Sequence, residues 1–238
     1  MPRSGRDAQR TFSRAWCRQR IGLALALCSA LASVDAAWAD VTAIPPDTCQ
    51  AMKDGHVLTD ASPVPCDRLR EVSFRFIDFS GETRLGRVVV MDAVARPVQD
   101  LFDELHARHF PLRQAAPMQA YLGDDDASME DDNTSGFNAR LVAGSSHWSL
   151  HAFGLAIDLN PVENPWRLPG RIVPDAGRAF ADRAVIRPGM IVRPGPIVAA
   201  LDELGWEWGG DWRHAFDDHH VVWSRRLVSL DVVMNYPG

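Results

Sequence analysis

Two clusters of histidines and carboxylates carry the chemistry that can be read from these 238 residues. The first runs from Ser149 to Asp158 (SLHAFGLAID), with His151 and Asp158 seven residues apart and Gly154 between them. A glycine lets the backbone turn, so a loop imidazole and a strand carboxylate can converge. Asp158 sits in the apolar run Ala156-Ile157-Asp158-Leu159, and a buried carboxylate needs a partner. Spacing alone leaves two outcomes open: ligands of a divalent ion such as zinc, or a structural Asp–His hydrogen bond. The second cluster is Asp217-Asp218-His219-His220. Neutral imidazole is the commonest zinc ligand, and one more histidine completes a two-histidine, one-carboxylate site with a corner left for water. A metal lowers the pKa of that water to about 7, and a nearby carboxylate can take its proton. The sequence has no HExxH helix, no Gly-x-Ser-x-Gly elbow, no phosphate loop and no well-placed cysteine nucleophile.

These residues need elements to position them. Gly154–Leu159 reads as a buried strand, and His219–Trp223 as a last strand. Further upstream, Glu71–Phe79 (EVSFRFIDF) and Arg84–Met91 (RLGRVVVM) read as a hairpin around Ser80-Gly81-Glu82. Val94, Val98, Leu101, Phe102 and Leu105 recur at helical spacing, with Pro97 in the first turn and an end expected near His109 and Phe110. Pro194-Gly195-Pro196 opens a helix through Leu204, with Gly205 as its cap. The acidic stretch Gly123–Asn133 (GDDDASMEDDN) reads as a solvated loop, since EF-hand spacing is absent. Strands and helices mix without regular alternation, which predicts an α+β fold.

The first residues look like a targeting segment. Arg3, Arg6, Arg10, Arg14, Arg18 and Arg20 precede an apolar run from Ile21 to about Ala32, followed by Ala37-Trp38-Ala39. This pattern predicts a signal peptide over residues 1–39; the run is shorter than the roughly 20 residues of a membrane span. Its removal takes away Cys17 and Cys28 and leaves 19 basic against 29 acidic residues. Such a balance argues against nucleic acid as a partner and against stable membrane association through charge. The expected location is the periplasm or outside the cell. Cys49 and Cys66, with sixteen residues between them, favour a disulfide in an exported chain, worth about 3 kcal/mol in the chain-entropy model. Residues 40–70 contain Pro45, Pro46, Pro63 and Pro65 and read as an irregular lead-in to the domain at 71–238.

Ser149-x-His151-x-x-Gly154-x-Ala156-x-Asp158 resembles the signature of VanY-type D-alanyl-D-alanine carboxypeptidases, in the zinc peptidase group that includes lysostaphin-type enzymes and the hedgehog signalling domain. Asn133-Thr134-Ser135-x-Phe137-Asn138-x-Arg140, Asn160-Pro161-x-x-Asn164-Pro165, Pro188-Gly189-Met190-Ile191 and Gly205-Trp206-x-Trp208-Gly209-Gly210-x-Trp212 are similar to further blocks of one bacterial subgroup. The resemblance implies a small central, mostly antiparallel sheet with helices on one side. It implies one Zn2+ per chain on His151, Asp158 and His220, with Asp217 as general base in the later acid-x-x-His motif. Arg140 would hold substrate or the oxyanion, with an ion pair to the acidic stretch as the alternative, and Ser149 and Trp212 would contact substrate, with a core role as the alternative for the tryptophan. Here the chain departs from the pattern: relatives usually carry an apolar residue or proline before the ligand histidine, whereas this one carries His219. Both histidines therefore stay candidates, and the register of Asp217 favours His220. The implied activity is zinc-dependent hydrolysis of peptidoglycan stem peptides, as a D-alanyl-D-alanine carboxypeptidase or an L-alanyl-D-glutamate endopeptidase. A non-catalytic zinc-stabilised wall-binding module is the rival.

Overall fold

The computed structural model describes residues 40–213 and 215–223. The expected signal peptide, Cys17 and Cys28 lie outside the described residues. In chain order the elements are β1 (Asp40–Ala43), α1 (Pro46–Asp54), β2 (Leu69–Ile77), β3 (Thr83–Met91), α2 (Ala95–Ala107), β4 (Gln114–Ala115), α3 (Asp125–Glu130) and β5 (Asn133–Thr134). They continue with β6 (Ala156–Asp158), β7 (Trp166–Leu168), β8 (Arg171–Val173), α4 (Pro196–Leu204), β9 (Trp206–Trp208), β10 (Phe216–Asp217) and β11 (His220–Trp223).

Alternation builds the largest β unit. Val72, Phe74 and Phe76 of β2 are buried on one face while their neighbours are more open, the period-two pattern of a half-covered sheet. β2 pairs antiparallel with β3 from Leu69↔Met91 to Ile77↔Thr83. The turn between them is held by Asp78, whose Oδ1 accepts from Ser80 N at 2.9 Å and Glu82 N at 3.0 Å. Helix α2 covers the buried face with Val98, Leu101, Phe102 and Leu105, and Phe102 stacks on Phe74 with ring centroids 3.5 Å apart. Burying a side chain of this size contributes about 1.5–3 kcal/mol.

The β structure is divided, not central. Among the described residues there are three antiparallel sheets of three strands, β1-β2-β3, β10-β7-β8 and β6-β11-β9, and a parallel pair β4-β5. The expectation of one central sheet is corrected accordingly, and the α+β class holds. Two local readings also change. The lead-in is ordered: β1 pairs with β2, and α1 starts at a proline, which suits the first helical position. Cys49 on α1 is joined to Cys66, which ties this lead-in to the start of β2. The acidic stretch contains α3, because Asp124 caps it by accepting from Ala127 N at 3.0 Å and Asp125 and Asp126 fill the first turn, where negative charge meets the helix dipole favourably. Among the described residues no helix is long and apolar enough to cross a membrane.

Candidate metal centre

The register of one strand pair explains why residues far apart in sequence meet. β11 pairs antiparallel with β6 so that His220 stands opposite Asp158 and Val222 opposite Ala156. Residues directly opposite on antiparallel strands share a face with their Cβ atoms a few ångströms apart. On its other edge β11 pairs with β9, Val221 opposite Trp208. Helix α4 leads into β9 through Gly205, which adopts φ +82° as its cap. Gly209 follows β9 because a Cβ there would lie 2.5 Å from the Asp217 carbonyl oxygen and 3.3 Å from His220 Cβ.

His151 comes from the other side, on a 3-10 turn at Leu150–Phe153. Ser149 caps this turn, its Oγ accepting from His151 N at 3.3 Å. Gly154 ends it at φ +65°, and a Cβ there would stand 2.5 Å from Met91 N. Both conformation and space therefore demand glycine. His151 Nδ1 donates to the Gly136 carbonyl at 2.7 Å, since a carbonyl can only accept. That bond fixes the tautomer that leaves Nε2 free to coordinate.

Three side chains then converge. His151 Nε2 lies 3.2 Å from His220 Nδ1 and 3.1 Å from Asp158 Oδ2, and His220 Nδ1 lies 3.1 Å from Asp158 Oδ1. All three side chains are buried. Two nitrogens bound to one tetrahedral zinc at 2.0–2.1 Å lie about 3.3 Å apart, so the 3.2 Å between the two imidazole nitrogens matches two corners of such a polyhedron, with one Asp158 oxygen beside each nitrogen. The donor set, two imidazoles and one carboxylate, fits a divalent cation. Burial opposes charge on His151, yet the Asp158 carboxylate outweighs it and holds the imidazole pKa above its ordinary value. Burial penalises the Asp158 carboxylate too, but His151 and His219 beside it hold its pKa well below the ordinary range.

The four residues Asp217–His220 have four different fates. Asp217 pairs in β10 with Trp166, and its Oδ1 is buried without an aligned hydrogen-bond donor. Asp218 turns away into two arginines, accepting from Arg167 Nε and Nη2 at 2.5 and 3.0 Å, with Arg183 Nε 3.4 Å away. His219 faces Asp217 Oδ1 across 2.9 Å, while its Nδ1 donates to the Asn164 carbonyl at 2.9 Å. Burial opposes its charge, but Asp217 and Asp158 outweigh it and raise its pKa to about 10. His220 alone of the two histidines joins the convergent group.

The remaining expected site residues surround this centre. Arg140 gives Nη2 to Asp125 Oδ2 at 2.7 Å, and its charge is felt at His151. Its backbone carbonyl accepts from Ser149 N at 3.1 Å, linking it to the turn that carries His151. Trp212 is 41% exposed, and its ring centroid lies 5.4 Å from that of His220. Arg193 steadies this loop by bonding both Asp211, at 2.8 Å, and Asp202, at 2.9 Å. Trp206 and Trp208 belong to the core, and Trp208 Nε1 donates to the Asp218 carbonyl at 2.8 Å. The pair with Asp125 is the alternative that the sequence left open for Arg140. Gly136, Arg167 and Arg183 escaped sequence reasoning, and none of the three has a local signal.

Neither a curated protein nor a solved structure matches this chain. The stretch that carries His151, Asp158, Asp217 and His220 does have a counterpart: residues 143–223 match the family model described as D-alanyl-D-alanine carboxypeptidase, and over that stretch the chain is peptidase-like.

Proposed function

We propose that this protein is an exported zinc peptidase that hydrolyses a peptide bond in peptidoglycan stem peptides, as a D-alanyl-D-alanine carboxypeptidase. One observation carries the reading: the buried side chains of His151, Asp158 and His220 bring one donor atom each to within 4.8 Å of one another, with the Asp217 carboxylate close by. His151, Asp158 and His220 would hold the ion, and a zinc bound there supplies a Lewis acid and a water whose pKa is lowered to about 7. Asp217 accepts a proton from that water and returns it to the leaving amine. Arg140 holds a stem-peptide carboxylate or the developing oxyanion through its fork of donors. Ser149 serves through the turn that aims His151, and Trp212 offers an exposed aromatic wall for the substrate. The charge of the chain without residues 1–39 keeps it off anionic membranes and nucleic acid.

One observation favours a second bond. Asp125 already occupies part of the Arg140 fork, which leaves less of it for a terminal carboxylate, as suits an endopeptidase acting within the stem, such as one cleaving L-alanyl-D-glutamate. Digestion of purified muropeptides, with mass spectrometry of products and a chelator control, decides between them. The expected product is free D-alanine, released only without chelator. Absence of chelator-sensitive cleavage of any stem-peptide bond overturns the peptidase reading.

A further inference from the structure

The aromatic side chain beside the metal centre is held from a distance. Trp212 is 41% exposed, and its ring centroid lies 5.4 Å from that of His220. Its backbone N–H donates to the Gly209 carbonyl at 3.1 Å, closing the 3-10 turn Gly209–Asp211. Asp211, the residue before it, is gripped by an arginine eighteen positions earlier. Arg193 gives Nε to Asp211 Oδ1 at 3.0 Å and Nη2 to Asp211 Oδ2 at 2.8 Å. The same guanidinium gives Nη1 to Asp202 Oδ2 at 2.9 Å and Nη2 to Asp202 Oδ1 at 3.1 Å. Each carboxylate thus meets two donors at once, the fork geometry that makes such pairs specific as well as strong. Asp202 sits on α4, whose Ile197, Val198 and Leu201 belong to the core, so the clamp has a fixed base. A single exposed ion pair stabilises a fold little, whereas bidentate geometry and a cation shared by two carboxylates give such a pair a structural effect. Here that effect falls on one loop, because Arg193 joins a helix to the neighbour of Trp212.

We infer that Arg193 is a positioning residue: by clamping Asp211 to α4 it holds the Trp212 indole beside His220, as one wall of the substrate cleft. The inference rests on the proposed peptidase reading, in which Trp212 contacts the stem peptide. Arg193 acts through Asp211 and is not one of the metal donors. Lysine cannot replace it fully, because an ammonium is a point charge and does not present forks to two carboxylates. Trp212 supplies contact area and moves no proton. Its displacement therefore weakens the bound substrate and the transition state alike, and the loss belongs in KM. An aromatic contact of this kind is worth about 3- to 10-fold in binding.

The test compares full-length Arg193→Met, Arg193→Lys, Trp212→Ala, the double variant Arg193→Met/Trp212→Ala and wild type, each loaded with zinc, on the muropeptide that wild type cleaves. For Arg193→Met the expected result is a KM higher by about 3- to 10-fold, with kcat and zinc affinity by chelator competition unchanged. Arg193→Lys should fall between Arg193→Met and wild type. Because the arginine acts through the tryptophan, the double variant should be no worse than Trp212→Ala alone. An unchanged KM, a loss that appears in kcat or follows a loss of zinc, or losses that add in the double variant overturn the inference. A second readout needs no activity: in fluorine spectra of zinc protein labelled with 5-fluorotryptophan, the resonance missing from Trp212→Phe belongs to Trp212. Arg193→Met should shift that resonance and leave those of Trp206 and Trp208 in place. No shift at Trp212 also overturns the inference. If wild type cleaves no muropeptide, the peptidase reading fails, and the fluorine spectra alone decide whether Arg193 positions Trp212.

Discussion

Two buried carboxylates in this protein are treated in opposite ways. Asp158 is ringed by the imidazoles of His151, His220 and His219 and stays ionised far below its ordinary range. Asp132, between α3 and β5, is equally hidden but shares a hydrogen bond with another buried carboxyl, Glu163. Burial first, and then Glu163, push its pKa up to about 8. Among the described ion pairs the cation facing these two carboxyls is Arg113, which is half exposed and stands 3.7 Å from Asp132 and 3.9 Å from Glu163. Burial alone therefore says little about chemistry. Company decides: one carboxylate is prepared for a cation, the other for a proton.

The comparison can be broken most severely at its cationic end. His151→Ala, Asp158→Asn or His220→Ala should each abolish stoichiometric zinc binding and reduce muropeptide hydrolysis by more than about a thousandfold, with lower thermal stability, because metal and fold are linked. Zinc analysis, turnover and melting measured together check this. Asp217→Ala should reduce kcat by about 10²- to 10⁴-fold and leave zinc in place. Full activity in that variant removes Asp217 from the mechanism.

The protonated end makes a smaller effect. The folded pKa of Asp132, about 8, lies above its unfolded value of 3.8. The folded state therefore holds this proton more tightly, and its contribution is complete below about pH 4. It is lost as pH rises towards 8, and it amounts to a few kcal/mol at most. Urea titrations across that range should show stability falling, and Glu163→Gln should flatten the slope. An identical slope in that variant would separate the pair from the pH dependence. Arg113→Gln should do least, changing stability near neutral pH by no more than about 1 kcal/mol, as expected of a half-exposed ion pair. The same denaturation curves read it.

The contrast also marks what one-dimensional reading reaches. The Ser149–Asp158 motif, helices α2 and α4 and the β2–β3 hairpin each rest on signals confined to a few neighbouring residues: a capping serine, a left-handed glycine, apolar positions at period 3.6 or 2. The opposition of His220 to Asp158 depends on pairing between strands 62 residues apart, which no local spacing encodes; the resemblance, not the periodicity, pointed to it. The same holds for Asp217 and Asp218. Adjacent and identical in type, they part because Arg167 and Arg183 arrive from elsewhere to take the second. Asp132 lies in the stretch that reads as a solvated loop and Glu163 carries no local signal; only the folded chain brings them together. The acidic stretch, which reads as a solvated loop, holds a helix because three of its charges serve the start of α3.

The central claim is that one divalent cation is shared by His151, Asp158 and His220. Anomalous diffraction at the zinc edge, from crystals of the purified protein, tests it directly. The account predicts a single peak about 2.0–2.2 Å from His151 Nε2, His220 Nδ1 and an Asp158 oxygen. A zinc peak elsewhere, or none among these three residues in zinc-soaked crystals, would contradict it.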